Sequence, residues 1–424
     1  MRRTLLWITS KWPLPAVDGS RVATTNLISS LTKKGHLIDL LALAGEHEHV
    51  DLDLARRELG VRRAFVIRRK ERSRHSLLGA LQLLKAALCL PHIPITMHPF
   101  QAPKVRRPLT TLIEEHRLTP EICGHLLEAD NIQPWDVIVY EGPHAAIHSS
   151  LLGEFKRPAC ASKILYRAQN VESSIWQSKL ELASGTFKKI LLAHQYSLVK
   201  IFEESFVRSV DGVAAVSSAD LSRFQSLKSD LKGRVVPVSY DFSEPLSFPD
   251  QGSEVLFMGR LDWPPNQEGL RWFLEMVWPE LLKERSDLTL LIVGSGASSW
   301  LNTYLKLKNI NFLGCVSDPT PLYARASMAL VPIFYGGGTR VKAIEAARFG
   351  RAVLSTAFGV EGLGLESGRD YLRAENAKEW VNQLARLDHR QLKQVGQNAY
   401  DRLKFDFSAK RAVNEFEALM DQII

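Results

Sequence analysis

The residues best suited by type and spacing to do chemistry lie in Leu330-Val-Pro-Ile-Phe-Tyr-Gly336-Gly-Gly-Thr-Arg-Val-Lys342-Ala-Ile-Glu345. Three consecutive glycines, Gly336, Gly337 and Gly338, remove side chains where the chain turns into a helix. Backbone N–H groups and the positive end of the helix dipole can then meet an anion closely. Thr339 is the N-cap candidate, Arg340 and Lys342 fall in the first turn, and Glu345 follows Lys342 by one turn on the same face. Cations and N–H donors suit a phosphate, and a nearby carboxylate suits sugar hydroxyls. The pattern reads as a nucleotide-diphosphate site. Arg260, closing a strand predicted over 254–258, offers a fork that could clamp paired phosphate oxygens or form a surface salt bridge.

A second group sits at the carboxyl ends of two earlier predicted strands, 135–140 and 163–167. There Glu141, His144, Arg167, Asn170 and Glu172 line a candidate cleft, since ligands collect at such ends in open α/β sheets. Each could equally cap a helix or join a loop salt bridge. Other chemistries lack their constellations: there is no serine elbow, no His-Glu-x-x-His motif and no Walker lysine. Gly294-Ser-Gly296 matches a dinucleotide fingerprint poorly, and close packing of strand on helix explains its glycines.

These residues need two α/β scaffolds to hold them. At 424 residues the chain is too long for one core. Strands near 3–10 and 36–43 flank a helix over 21–34, a parallel-sheet opening with Gly19 at the helix start. Residues 45–130 are irregular, with a strand near 61–67, an apolar helix over 76–90 and helices between 104 and 130. Strand and helix then alternate to residue 238. An aperiodic stretch with two prolines reads as a linker over 241–252. A second series runs over 253–405, and 406–424 carries an amphipathic final helix. The expected domains are thus 1–240 and 253–405, with the last helix crossing back.

Of the formal net charge of +8, the segment Arg56–Arg74 alone carries +7, and the apolar stretch to Leu90 follows it directly. That juxtaposition suits an anionic membrane surface, or else a solvated face beside a core helix. Nucleic acid is disfavoured because no aromatics interleave the arginines. Four scattered cysteines show neither metal spacing nor a disulfide framework, and no stretch nears the roughly 18 apolar residues of a membrane span. The expected location is cytoplasmic, with peripheral membrane attachment through 56–90.

A series of motifs runs along the chain: Pro13-x-Pro15 with Gly19, Gly35-His36, Arg167-x-x-Asn170-Val-Glu172 and Asp211-x-x-x-x-Val216-Ser217. It continues with Phe257-x-Gly259-x-Leu-Asp-Trp263-x-x-Asn266, Trp278-Pro279 and Ile292-Val-Gly294. Its most specific part is Gly336-Gly-Gly-Thr-Arg-Val-Lys-x-x-Glu345-Ala, with Gly350 and Ser355-Thr356 to Gly359-x-Glu361-Gly362. In these motifs the chain resembles the retaining, nucleotide-sugar-dependent glycosyltransferases of family 4 (glycosyltransferase group 1), exopolysaccharide-type branch. The resemblance implies the B-type (GT-B) fold, two Rossmann-like α/β domains facing a central cleft, with the C-terminal helix packed on the N-terminal domain. It implies a nucleotide-sugar donor, a glycan or lipid-linked acceptor, and no metal or other cofactor. Glu345 would hold the donor ribose, and Arg260 with Lys342 the diphosphate. The donor side would include Gly19, Gly336, Gly337, Gly338, Thr339 and Arg340. The acceptor side would take Glu141, His144, Arg167, Asn170 and Glu172. Three positions depart from the family: Gly337 replaces the first motif glutamate, Pro265 a lysine, and Gln169 a histidine. A nucleotide-sugar epimerase of the same fold, or a binding subunit without turnover, are the alternatives.

Overall fold

The structure is a computed structural model. It describes residues 1–16, 18–45, 48–69, 135–146, 150–151, 154–155, 163–181, 183–249, 253–297, 299–316, 318–336, 339–386 and 388–424. The helices expected at 76–90 and 104–130 lie outside the described residues.

The chain forms two compact units: Met1–Leu14, Thr24–Pro237 and Val413–Ile424 in one, Pro15–Ala23 and Val238–Ala412 in the other. The first is built on strands β1 (Thr4–Thr9), β2 (Leu37–Gly45), β3 (Arg63–Arg69), β4 (Val137–Glu141), β7 (Ile164–Ala168), β8 (Gly212–Ala215) and β9 (Lys232–Val235). A short antiparallel pair, β5 (Ser150–Leu151) and β6 (Glu154–Phe155), lies apart. The seven-stranded order is β3-β2-β1-β4-β7-β8-β9, and every pairing is parallel. Helices cover both faces of such a sheet, so its strands read as near-continuous apolar runs, as in Leu5-Leu6-Trp7-Ile8. The buried Asp39 on β2 accepts from Arg62 Nε and Nη2 (3.0 and 2.6 Å) and from Trp135 Nε1 (2.9 Å). Arg62, one of the cations of the basic run, is thereby a structural partner. Arg68 likewise donates to the Gly45 carbonyl at 2.9 Å.

The final helix, Ala409–Ile423, sends its last turns onto the first unit, as expected from the sequence. Phe416 stacks on Trp7 at 5.6 Å, Arg3 meets Asp421 at 2.7 Å, and Arg234 meets Glu415 at 2.9 Å.

The second unit holds β10 (Glu254–Met258), β11 (Thr289–Val293), β12 (Ile310–Gly314), β13 (Met328–Val331), β14 (Ala352–Ser355) and β15 (Leu372–Arg373). Their order, β12-β11-β10-β13-β14-β15, is again wholly parallel. Both sheets reverse strand order once, beside β1 and β4 in one and beside β10 and β13 in the other. Between β10 and β11 the chain runs helically from Pro264 to Glu284, widening to a π-helical turn at Phe273–Val277. Pro279 has no N–H to give the regular helix bond, which accounts for the widening. The segment read as a linker is held on the second unit. Arg351, fully buried, donates to the carbonyls of Leu246 (3.1 Å), Ser247 (2.6 Å) and Tyr323 (2.6 Å). Tyr400 Oη donates to the Ser243 carbonyl at 3.0 Å.

Candidate donor-type active site

In the second unit the strand order turns between β10 and β13, where the carboxyl ends of open α/β sheets leave a binding crevice. Gly259 and Arg260 follow β10, and the glycine-rich turn follows β13. Nearby, the loop after β11 comes so close that a Cβ on Gly294 would lie 1.9 Å from the Gly259 carbonyl oxygen. That backbone contact explains Gly294, and Gly296 has a left-handed φ of +76° with Asp262 where a Cβ would stand, so neither glycine needs a dinucleotide.

The glycine-rich turn leads into the Val341–Arg348 helix. Gly336 has a left-handed φ of +130°, a conformation open mainly to glycine; Gly337 and Gly338 lie outside the described residues. The N-cap expected at Thr339 is displaced. The helix starts one residue later, Arg340 occupies the cap position without a side-chain cap bond, and the buried Thr339 hydroxyl has no hydrogen-bond partner among the described residues. Arg340 is not in the first turn either. Its guanidinium packs over the Phe358 ring at 4.3 Å, donates to the Phe358 carbonyl at 2.9 Å and pairs with Glu361 at 3.0 Å. Burial lowers its proton affinity, against the pull of Glu361.

Lys342 does point at the strand end. Its ammonium donates to Asn266 Oδ1 at 2.6 Å and sits 4.3 Å over the Phe257 ring. Burial lowers its pKa from 10.5 to about 7. Arg260 pairs with Asp262 through Nε (3.0 Å) and Nη2 (2.6 Å), which raises the guanidinium's proton affinity and lowers that of the carboxyl. The Nη1 edge is not used by Asp262. Glu345 and Lys342 share a helix but meet different neighbours. Glu345 hydrogen-bonds Tyr323 and feels Arg348, yet burial outweighs both and lifts its carboxyl from 4.5 to about 7. Gly19 sits beside the same helix, where a Cβ would come within 3.1 Å of Val341.

The first unit gathers the other group. Glu141 ends β4 opposite Arg167 on β7. The Glu141 carboxylate is buried and accepts from Trp7 Nε1 (2.9 Å), Thr24 Oγ1 (2.7 Å) and Gln169 Nε2 (2.7 Å). Arg167 is 1% exposed and donates from one nitrogen to the Ala168 and Ala214 carbonyls at 3.3 and 3.4 Å. Its Nε and Nη2 have no partner among the described residues, and burial lowers its pKa to about 10 despite Glu141. His144 and Asn170 are half-buried in the segments that follow. Glu172 opens the Glu172–Glu181 helix, and burial raises its pKa against Lys179 and Lys11.

Sequence reasoning missed several partners. Asn266 and Asp262 were visible only as letters of one motif. Glu203 carried no signal, lying within a long helix. It accepts from Glu172 N (2.8 Å), Ser173 N (3.0 Å) and Ser173 Oγ (2.6 Å), capping the Glu172–Glu181 helix from outside. Among the described residues no group of three or more His, Cys, Asp or Glu could hold a metal ion, and no helix is long and apolar enough to cross a membrane.

Residues 252–389, which contain Arg260, Asn266, Lys342 and Glu345, match the family described as Glycosyl transferases group 1. An uncharacterized 44.6 kDa protein in the cps region of Klebsiella pneumoniae is 24% identical over 266 residues, spanning 59% of this chain and 66% of the relative, just under two thirds of its length. Among solved structures, S. aureus TarM in complex with Fondaparinux, alpha-GlcNAc-glycerol and UDP matches with a TM-score of 0.64 at 8% identity, over 99% of this chain and all of that one. Anabaena Alr3699/HepE with UDP and glucose matches with a TM-score of 0.58 at 15% identity, over 99% and 100% of the chains. The pneumococcal O-GlcNAc transferase GtfA with UDP and GlcNAc gives 0.59 at 10%, over 100% and 99%. The fold is GT-B, two Rossmann-like units in one chain.

Proposed function

We propose that the protein is a retaining glycosyltransferase that takes a sugar from a nucleotide-sugar and passes it to a glycan or lipid-linked acceptor in polysaccharide assembly. The observation that carries this reading is that the Lys342 ammonium and the Arg260 main chain meet at Asn266 where strand order turns in the second sheet, inside the stretch matching a glycosyltransferase family. Departure of a nucleoside diphosphate needs its growing charge stabilised, and a guanidinium and an ammonium supply that. Glu345 holds the ribose; Gly19 and the Gly336–Arg340 turn complete the donor side. Glu141, His144, Arg167, Asn170 and Glu172 serve the acceptor side. The solved neighbours carrying UDP support a uridine nucleotide as the first donor to try, and the relative in a cps region supports a polysaccharide acceptor. Peripheral attachment through 56–90 is a separate part of the proposal, for which anionic vesicles are the probe.

Incubating the purified protein with a panel of nucleotide-sugars and acceptor extracts, and following nucleoside diphosphate release with sugar transfer, tests the reading. Transfer that Glu345→Ala abolishes is expected. Donor consumption without transfer points to an epimerase, and binding without release to a non-catalytic subunit. An unaltered donor affinity in Glu345→Ala removes Glu345 from the site.

A further inference from the structure

Between the Lys342 ammonium and the Arg260 main chain lies one buried amide. Asn266 is 7% exposed. Its Oδ1 accepts from Lys342 Nζ at 2.6 Å, and its Nδ2 donates to the main-chain carbonyl of Arg260 at 2.8 Å. Chemistry fixes that orientation, because an ammonium can only donate and a carbonyl can only accept. Gly259 fits the same arrangement. A Cβ there would stand 2.7 Å from Lys342 Cε and Nζ and 2.9 Å from Asn266 Nδ2. The lysine therefore lies along a bare stretch of backbone, with its end held by the amide and the Phe257 ring.

The charged groups around this end are few among the described residues. Arg260 pairs with Asp262, and Asp18 acts on both while itself pairing with Arg21 at 2.7 Å. Glu345, on the lysine's own helix, is turned to Tyr323 and Arg348. None of these carboxylates contributes to the lysine's proton affinity, which burial alone depresses. The ammonium is thus held in place by a neutral group and lacks a counter-charge among the described residues.

We propose that Asn266 is the positioning residue of the diphosphate site: one amide grips the Lys342 ammonium and the Arg260 backbone, and so sets the spacing of the two cations that receive the diphosphate. This rests on the diphosphate reading above. A neutral clamp holds the lysine without satisfying its charge, so an arriving diphosphate finds a cation with no competing anion to displace. A carboxylate at 266 would have formed an ion pair in its place.

Calorimetric titration of the full chain with UDP, GDP and dTDP between pH 6 and 9 provides the test, using whichever binds most tightly. Wild-type affinity should weaken above pH 7, approaching about tenfold per pH unit as Lys342 loses its proton. Asn266→Ala should weaken binding at pH 6.5 by about tenfold, the scale of one lost charge-assisted contact. In the Lys342→Met background it should cost less than about twofold, because the two residues act as one unit. Asn266→Asp should keep the lysine charged through pH 8 and flatten the pH dependence while lowering affinity. Asn266→Ser is the second variant should the alanine protein unfold early in a thermal scan. Wild-type affinity and pH profile in both Asn266→Ala and Asn266→Ser would overturn the proposal, as would additive losses with Lys342→Met. A wild-type protein that binds none of the three nucleotides overturns instead the diphosphate reading on which it rests.

Discussion

At the scale of single residues the structure separates ionisable groups that await a ligand from those already consumed by the fold. Glu141 has three donors around its carboxylate, so its loss would first be felt as stability: two N–H groups and a hydroxyl would be left inside the first unit. Glu203 is similar. Burial lifts its pKa to about 7, overriding the hydrogen bonds from Ser173 and Glu172 that lower it. The native state therefore keeps this proton between about 4.5 and 7, where the unfolded chain has released it. Its contribution to stability is full below the unfolded value and fades as pH rises through 7. Glu203→Ala should accordingly cost about 2–3 kcal/mol at pH 4.5 and clearly less at pH 8, measured by denaturant unfolding at both. An equal cost at the two pH values would show that Glu203 stays ionised in the native protein.

At the scale of elements, glycines mark where one segment rests on another, and the atom each would strike decides the consequence of filling it. A Cβ on Gly269 would fall 1.7 Å from the Pro332 carbonyl oxygen, and backbone cannot yield. Gly269→Ala should push the Pro264–Trp272 helix off β13 and lower stability by about 3 kcal/mol or more, visible as an earlier thermal unfolding. Gly259→Ala would strike the far end of the Lys342 side chain instead. That side chain can swing away, but the Cβ would also stand 2.9 Å from Asn266 Nδ2 at a φ of +158°, so this variant should unfold at a lower temperature than wild type and lose most of its affinity for UDP. A variant with intact binding would mean that the lysine's position along β10 is irrelevant to the ligand.

At the scale of the whole molecule, the chain's last turns complete the unit that its first strand begins. Phe416 is fully buried against Trp7, whose indole N–H also serves Glu141. Phe416→Ala should cost about 3–5 kcal/mol through lost burial and the cavity left behind, read from chemical denaturation. Removing 413–424 altogether should expose the same surface and leave the first unit prone to aggregation. A truncated chain that unfolds at the wild-type denaturant concentration would refute the assignment of these residues to the first core. The first unit thus depends on a contact of very long sequence separation, between Trp7 and Phe416.

Hydrophobic periodicity and turn residues by themselves determined two parallel α/β series, a final amphipathic helix, and a cation-bearing glycine turn after a strand. Those features are local, and local patterns of burial are written directly in the order of residues. The tertiary structure alone decided which polar groups meet. It moved the cap from Thr339 to Arg340 and turned Arg340 toward Glu361, because a helix start depends on backbone angles that three glycines leave open. It gave Arg62 to Asp39 and Glu203 to the start of another helix, partners set by strand pairing and helix packing rather than by spacing. It also put Asn266 between Arg260 and Lys342, 76 positions from the lysine it holds. The sequence could show that a phosphate-binding turn was present; only folding could bring the amide that orders its charges.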